Sequence, residues 1–291
     1  MSKPIIEIKG LWFSYDKDKQ EKEEKYWNWV LKDINLDIYP GEFVAIIGQN
    51  GAGKTTLMKQ INGLNLPDKG NVMINQQNLK DIKFNEKASR IGYVYQNPDH
   101  QIFNLTVDSE ISFGPRHLGV PEEEINKGIE TVKAAVGLTD MGAEYPFALG
   151  RGQRQKLAVA SVLVMNPPIL IIDEPTTGLD WVGGVAMMDL IQSLHKQGHT
   201  IIMITHDMRI VSMYAHRVVV MAQGKILLDN SPKEVFKQRD ILSQAFLQPS
   251  QINRIYSKLS ESFDIPKDIL SVDEAFEHIS NLIMKGKEYG T

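Results

Sequence analysis

The stretch Gly48-Gln49-Asn50-Gly51-Ala52-Gly53-Lys54-Thr55 constrains this chain more than any other. It fills every fixed position of the pattern G-x-x-x-x-G-K-[ST]. Its flanks agree: GEFVAIIG (41–48) reads as a buried strand, and a helix follows that stops near Gly63. The glycines let backbone N–H groups curl into an anion-binding nest, and the helix behind them adds its positive end. Lys54 is placed to reach the outer phosphates of a nucleoside triphosphate, and the Thr55 hydroxyl to hold Mg2+. A strand–loop–helix unit of this kind needs further strands beside it.

The chain supplies them. RIGYVYQ (90–96), PPILIIDE (167–174) and HTIIMITH (199–206) are apolar runs of strand length, and RVVVMAQGKILLDN (217–230) reads as a hairpin turning at Ala222-Gln223-Gly224. Gly183 to Gln197 reads as a helix with Val185, Met188, Ile191 and Leu194 on one stripe, ended by Gly198. Strands alternating with helices predict an α/β fold with a mostly parallel sheet covered on both faces. Upstream, IIEIKGLWFSY (5–15) reads as an edge strand and DKDKQEKEEK (16–25) as a solvated hairpin loop. VLKDINLDI then resumes a strand, and Pro40-Gly41 marks a tight turn. From about Lys237 amphipathic helices follow without strands between them, punctuated by Pro249 and Pro266.

Two acids, Asp173 and Glu174, leave the apolar strand ILIID side by side. Such a pair is costly to leave unpaired. A metal and a triphosphate explain both: Asp173 binds Mg2+ through water, and Glu174 polarises a water against the γ-phosphate. His206 ends the next apolar strand and points into the same crevice, where it can contact the γ-phosphate.

Composition narrows the partners. With 32 basic and 36 acidic residues the formal charge is −4, which argues against a nucleic-acid surface. The absence of cysteine excludes disulfides and cysteine metal sites. MSKPIIEIKG lacks the apolar core of a signal peptide. Apolar runs such as Ile169 to Ile172 fall far short of the ~20 residues that span a bilayer. A membrane role therefore requires docking onto the helices of another protein.

With these elements in this order, roughly residues 5–235 closely resemble the ATP-binding-cassette (ABC) ATPases. The resemblance rests on the phosphate loop, ILIIDE (169–174), TTGLD (176–180), His206, and Gln96 in VYQNPD. It implies a P-loop ABC fold with a mostly parallel core sheet, an antiparallel β subdomain and a helical subdomain at about 97–165. Residues 1–236 would form the nucleotide-binding domain; the helical extension 237–291 either covers that domain or, as in the energy-coupling-factor group of this family, serves dimerisation. ATP and Mg2+ are the implied cofactors. Gly48, Asn50, Gly51, Ala52, Gly53, Lys54, Thr55 and Thr56 would hold the phosphates, and Tyr15 would stack on adenine. Thr55, Gln96 and Asp173 would meet Mg2+; Glu174, His206, Lys54 and Gln96 would act in hydrolysis; Asp180 would couple the two halves of a dimer.

The segment YQNPDHQIFNLTVDSEISFGP (95–115) is similar to the energy-coupling-factor ATPases, which power vitamin and nickel or cobalt uptake. In that group the position of His100 is typically acidic. Asn97-Pro98 makes a turn, and Asp99 is expected to cap a short helix carrying Gln101, Ile102 and Phe103. Ile102 and Phe103 either pack into the helical subdomain or face a partner; the resemblance favours the partner. It implies a second ABC ATPase in a hetero- or homodimer, an integral membrane coupling subunit, a substrate-binding membrane subunit, and a peripheral place on the cytoplasmic face of the cell membrane. Rival readings are a conventional ABC transporter ATPase, against which NPDHQIF argues, and a soluble ABC ATPase acting on DNA or ribosomes. The soluble forms carry a coiled-coil insertion or a second cassette, and this chain shows neither.

ALGRGQRQK (148–156) then reads as an altered signature element, usually Leu-Ser-Gly-Gly-Gln in the family. The aligned residues are Leu149, Gly150, Arg151, Gly152 and Gln153, followed by a helix to about Met165 closed by Asn166-Pro167. By resemblance, Gly150, Arg151, Gly152 and Gln153 face the ATP held by the opposite subunit. The serine hydroxyl is missing at Gly150, a loss of ~1.5–3 kcal/mol for one charge-assisted hydrogen bond. Arg151 either reaches the phosphate and compensates, or its bulk holds the site open. The expected assembly is a heterodimer with one competent site, built on this phosphate loop, and one impaired site.

Overall fold

The computed structural model describes residues 3–16, 23 and 26–288. Apart from Asp16 and Glu23, the loop expected at 16–25 lies outside the described residues. Along the chain run β1 (Ile6–Ser14), β2 (Trp29–Ile38), β3 (Phe43–Ile47), α1 (Lys54–Ile61), β4 (Lys69–Ile74), β5 (Gln77–Asn78), α2 (Phe84–Arg90) and β6 (Ile91–Val94). Then come α3 (Val107–His117), α4 (Glu122–Val136), α5 (Arg151–Leu163), β7 (Ile169–Asp173), α6 (Trp181–Lys196), β8 (Thr200–Ile204) and α7 (Met208–Tyr214). A hairpin of β9 (Arg217–Ala222) and β10 (Lys225–Asn230) precedes α8 (Pro232–Lys237), α9 (Arg239–Gln244), α10 (Gln251–Leu259) and α11 (Val272–Glu288).

The strands form two sheets. The first is antiparallel, in the order β2-β1-β4-β5. This corrects the expectation for β1: it lies between two partners and is not an edge. Its alternation slips where both pairings shift, near Gly10 at φ 55°, so Ile6 and Ile8 are buried before the break and Leu11 and Phe13 after it. The second sheet runs β10-β9-β3-β8-β7-β6, parallel throughout except for β10. Its central strands are buried on both faces, as their unbroken apolar sequences require. Alternate residues serve different cores. Phe43, Ala45 and Ile47 of β3 pack toward the helices, while Val44 and Ile46 pack toward the antiparallel sheet.

The helix-side core continues beyond the strands. Val235, Phe236, Leu242, Ala245, Leu247 and Leu270 belong to it. Helix α11 keeps Phe276, Ile279 and Ile283 exposed on one side. Among the described residues, no helix is long and apolar enough to cross a membrane.

Candidate functional site

Four parallel strands deliver their carboxyl ends to one edge of the second sheet. The register pairs Ile46 with Ile204 and Ile204 with Asp173, so the ends of β3, β8 and β7 are level. The phosphate loop follows β3 two residues past that rung, Glu174 follows Asp173, and His206 lies two residues past Ile204. Gln96 lies two residues beyond the end of β6, the strand paired with β7. Sequence positions from 48 to 206 thus meet where an open α/β sheet places its ligands.

The loop is built against the sheet. A Cβ on Gly48 would lie 2.2 Å from the carbonyl oxygen of Met221 in β9, so only glycine fits this approach. Ala52 N donates to Gln49 O at 3.1 Å, and Ala52 O accepts from Gly224 N at 3.1 Å, tying the loop to the turn between β9 and β10. Gly53 caps α1 in the left-handed region without a side-chain bond. The first N–H groups of a helix have no intrahelical acceptors, so this end attracts anions. Asn50, Gly51 and Thr55 are exposed at the loop's rim, whereas Ala52, Lys54 and Thr56 are buried.

Lys54 Nζ donates to Gly48 O at 2.7 Å and Gln49 O at 3.0 Å. Burial lowers its pKa, against the opposing pull of Glu174 and Asp173. Thr55 Oγ1 donates to Asp173 Oδ2 at 3.3 Å, and Tyr93 Oη donates to the same oxygen at 3.2 Å. Burial pushes the Asp173 carboxyl up; the bonds from Tyr93 and Thr55 and the charge of Lys54 oppose it. Burial and then the charge of Asp173 raise the Tyr93 phenol. A hydroxyl and a carboxylate converging beside a phosphate nest are hard oxygen donors of the kind Mg2+ takes.

Glu174 sits one residue on, at φ 48°, with N–H donating to Ile204 O at 2.9 Å. A non-glycine residue in this region carries a cost of about 1–3 kcal/mol and turns its side chain off the strand line. Its Oε1 lies 2.7 Å from His206 Nδ1, and Thr177 Oγ1 lies 3.4 Å from its Oε2. Glu174 is only 8% exposed, while the His206 side chain is 69% exposed. Tyr15 stands at the outer edge, half exposed, its hydroxyl 3.3 Å from Thr56 Oγ1 and from Asn65 Nδ2.

The signature residues lie at the start of α5. Gly150 is the N-cap in extended conformation, and its N–H donates to Gln153 Oε1 at 3.0 Å. Gln153 is thus engaged at its own helix end. Within the chain the Arg151 side chain lies against Gly178. A Cβ there would be 2.5 Å from Arg151 Cζ and Nε. Gly152 abuts Leu179 of the same loop. Asp180 caps α6, accepting from Gly183 N at 2.7 Å, which starts that helix at Trp181 rather than Gly183.

The segment after Gln96 differs from expectation in two ways. Asn97, not Asp99, caps its short helical turn, accepting from Asp99 N at 3.2 Å; Asp99 instead pairs with Arg154 Nε at 2.9 Å. Ile102 and Phe103 part company: Ile102 is buried in the core, while Phe103 is 60% exposed, edge-on to Phe113 at 4.7 Å. Buried Glu110 holds that exposure, its Oε2 accepting from Phe103 N at 3.0 Å and Asn104 N at 2.9 Å. Tyr93, Gln101, Glu110 and Thr177 were not singled out for these tasks by sequence reasoning. Strand register brings Tyr93 to Asp173 and helix packing brings Gln101 to α5, whereas Glu110 and Thr177 meet partners close in sequence through turns that no residue pattern marks.

Known proteins are similar to this chain over most of its length. The family model described as "ABC transporter" matches residues 31–177, from β2 through the phosphate loop to Thr177. Energy-coupling factor transporter ATP-binding protein EcfA1 of Caldanaerobacter subterraneus subsp. tengcongensis is 41% identical over 278 residues, covering 94% of this chain and 98% of that protein. A second protein of that bacterium, named as an ABC transporter ATP-binding protein, is 45% identical over 245 residues; these cover 84% of this chain and 42% of that protein. The solved structure of cbiO1 from Clostridium perfringens, described as part of the ABC transporter complex cbiONQ, superposes with a TM-score of 0.73 at 34% identity, covering 89% of this chain and all of that one. A phosphate loop at the carboxyl edge of a parallel sheet, an Asp-Glu pair on the neighbouring strand and this extent of similarity place the chain in the ABC transporter family, as an ATP-binding ATPase subunit.

Proposed function

We propose that this chain hydrolyses ATP as the energising subunit of an energy-coupling-factor importer, driving uptake of a vitamin or a transition-metal ion through membrane partners. The observation that carries the chemistry is the Glu174–His206 pair beside Lys54 and Asp173. The similarity to EcfA1 over nearly the whole of both chains supports the subtype.

In this reading the nest at 48–55 receives the phosphates, and Lys54 exchanges its loop carbonyls for phosphate oxygens. Thr55 and Asp173, with Gln96, would hold Mg2+, which when bound neutralises phosphate charge. Glu174 orients the attacking water, and the exposed His206 ring, fixed through Nδ1, offers its other nitrogen to the γ-phosphate. No covalent enzyme intermediate is required, because positioning and charge stabilisation suffice. Tyr15 stands where an adenine ring would stack.

The signature at 150–153 and Asp180 serve a second ATPase across a dimer. With Gly150 lacking a hydroxyl and Arg151 turned onto Gly178, the partner's nucleotide meets backbone donors of α5 rather than a serine side chain. The fully furnished site is the one on this chain's own phosphate loop, which supports an asymmetric heterodimer. The exposed Phe103–Phe113 pair suits docking onto a membrane coupling subunit, and the apolar side of α11 suits contact between ATPases, with 237–291 as a separate extension. Substrate would be bound by another membrane subunit, with this chain peripheral on the cytoplasmic face.

Phosphate release from the assembled complex tests the reading. Glu174→Gln is expected to keep ATP binding and cut turnover at least about 100-fold; unchanged turnover would remove Glu174 from the mechanism.

A further inference from the structure

Gln96 stands exposed at the end of a short segment whose hold comes from its neighbours. Two straps fasten that segment to α5. The first is Gln101. Its Oε1 accepts from Tyr95 N at 3.1 Å, immediately before Gln96, and its Nε2 donates to Ala158 O at 2.8 Å and to Ser161 Oγ at 3.1 Å. The second is Asp99, which pairs with Arg154 Nε at 2.9 Å, while Arg154 Nη1 donates to Leu149 O at 2.6 Å. One strap grips the middle of α5 and the other its start, about one helical turn apart. A single contact leaves a pivot; two fix both distance and rotation.

From the opposite side, Tyr93 ties β6 to Asp173 at 3.2 Å, and its ring lies 4.8 Å from that of Tyr95. The backbone that carries Gln96 is therefore pinned between the carboxylate of the candidate metal site and the helix that begins with the signature. One amide, Gln101, makes the bond nearest to Gln96 on the α5 side.

We propose that Gln101 is a positioning residue for Gln96. It fixes the reach of the Gln96 side chain toward the metal-bound triphosphate and ties that reach to the placement of α5. This inference rests on the nucleotide reading above and assigns a task to a residue that touches neither nucleotide nor metal.

The test uses the full chain and MgATP. The expected wild-type behaviour is a gain in ATP affinity on adding Mg2+ and slow hydrogen exchange at the Tyr95 amide. Gln101→Ala is expected to speed that exchange at least about tenfold and to shrink the magnesium gain about tenfold, the low end for one hydrogen bond to a charged group. Affinity for ATP without metal stays within about twofold. Gln96→Ala shrinks the magnesium gain equally but leaves the Tyr95 amide slow. The double variant is no worse than either alone, since both act through one contact. Gln101→Leu, near in shape, repeats the result if the alanine variant folds poorly. An unchanged magnesium gain in the Gln101 variants, a slow Tyr95 amide in them, or multiplicative losses in the double variant would overturn the proposal. Failure of the wild-type chain to bind ATP at all would overturn the nucleotide reading instead.

Discussion

His206 Nδ1 lies 2.7 Å from Glu174 Oε1, joining the ends of two neighbouring strands. The contact fixes which nitrogen of the imidazole points outward and holds a carboxylate that is itself in a left-handed backbone conformation. The ring has one nitrogen committed inward and the other free for a phosphate oxygen. His206→Ala should keep ATP binding within a few fold and lower turnover of the assembled ATPase about 100-fold, as for loss of one pre-oriented donor. His206→Gln, which keeps a donor at similar reach, should recover part of that loss. Steady-state phosphate release checks both.

Asp173 is 5% exposed, and burial raises its carboxyl despite two hydrogen bonds and a nearby lysine. A carboxyl whose folded pKa exceeds its unfolded value lends stability in its protonated form. That stability is fully present below the unfolded pKa and is lost as pH rises through the folded pKa. Asp173→Asn imitates the protonated form. It should raise Tm by a few degrees at about pH 7.5, with the advantage fading toward about pH 4, while magnesium-dependent nucleotide binding falls. Thermal unfolding across that pH range reads the first effect and titration with MgATP the second.

Gly150 leaves room for a side chain. A Cβ there meets only Gln153 Oε1, at 3.5 Å, an ordinary contact. Serine favours the N-cap position about as strongly as any residue, so Gly150→Ser should change stability by only a few tenths of a kcal/mol. In a homodimer it should raise ATP turnover about tenfold, because in the proposed dimer the added hydroxyl would face the opposite nucleotide. Paired with an ATPase whose signature is intact, it should act on that partner's site alone. A Gly150→Ser homodimer no faster than wild type would count against the signature as the weak element.

What was legible in the sequence was what is contiguous in the chain. The strand, the phosphate loop and α1 follow one another, so their residue types reveal both structure and task. Asp173 and Glu174 were legible because a carboxylate pair leaving an apolar strand needs a reason. Partnerships across strands were not. Tyr93 reaches Asp173, and His206 reaches Glu174, only because β6, β7 and β8 pair in one register. The same limit explains the misplacement of β1, since β4 (KGNVMI) is short and polar at its start and gave no strand signal. Asn97 and Asp99 competed for one cap, and a long-range pairing with Arg154 decided it. Ile102 and Phe103 form one apolar pair in the sequence, but adjacent residues point in different directions, one into the core and one outward. The turn of Arg151 onto Gly178 depends on a loop 27 residues away and had no local trace.

The nest at 48–55, with Lys54 at its base, is proposed to grip a triphosphate. Calorimetric titration of the wild-type and Lys54→Ala chains with MgATP tests it most directly. Saturable binding to the wild type is expected, with a loss of at least about tenfold in affinity when the ammonium is removed, the value of one charge-assisted contact. Equal affinity of the two chains for MgATP would contradict it.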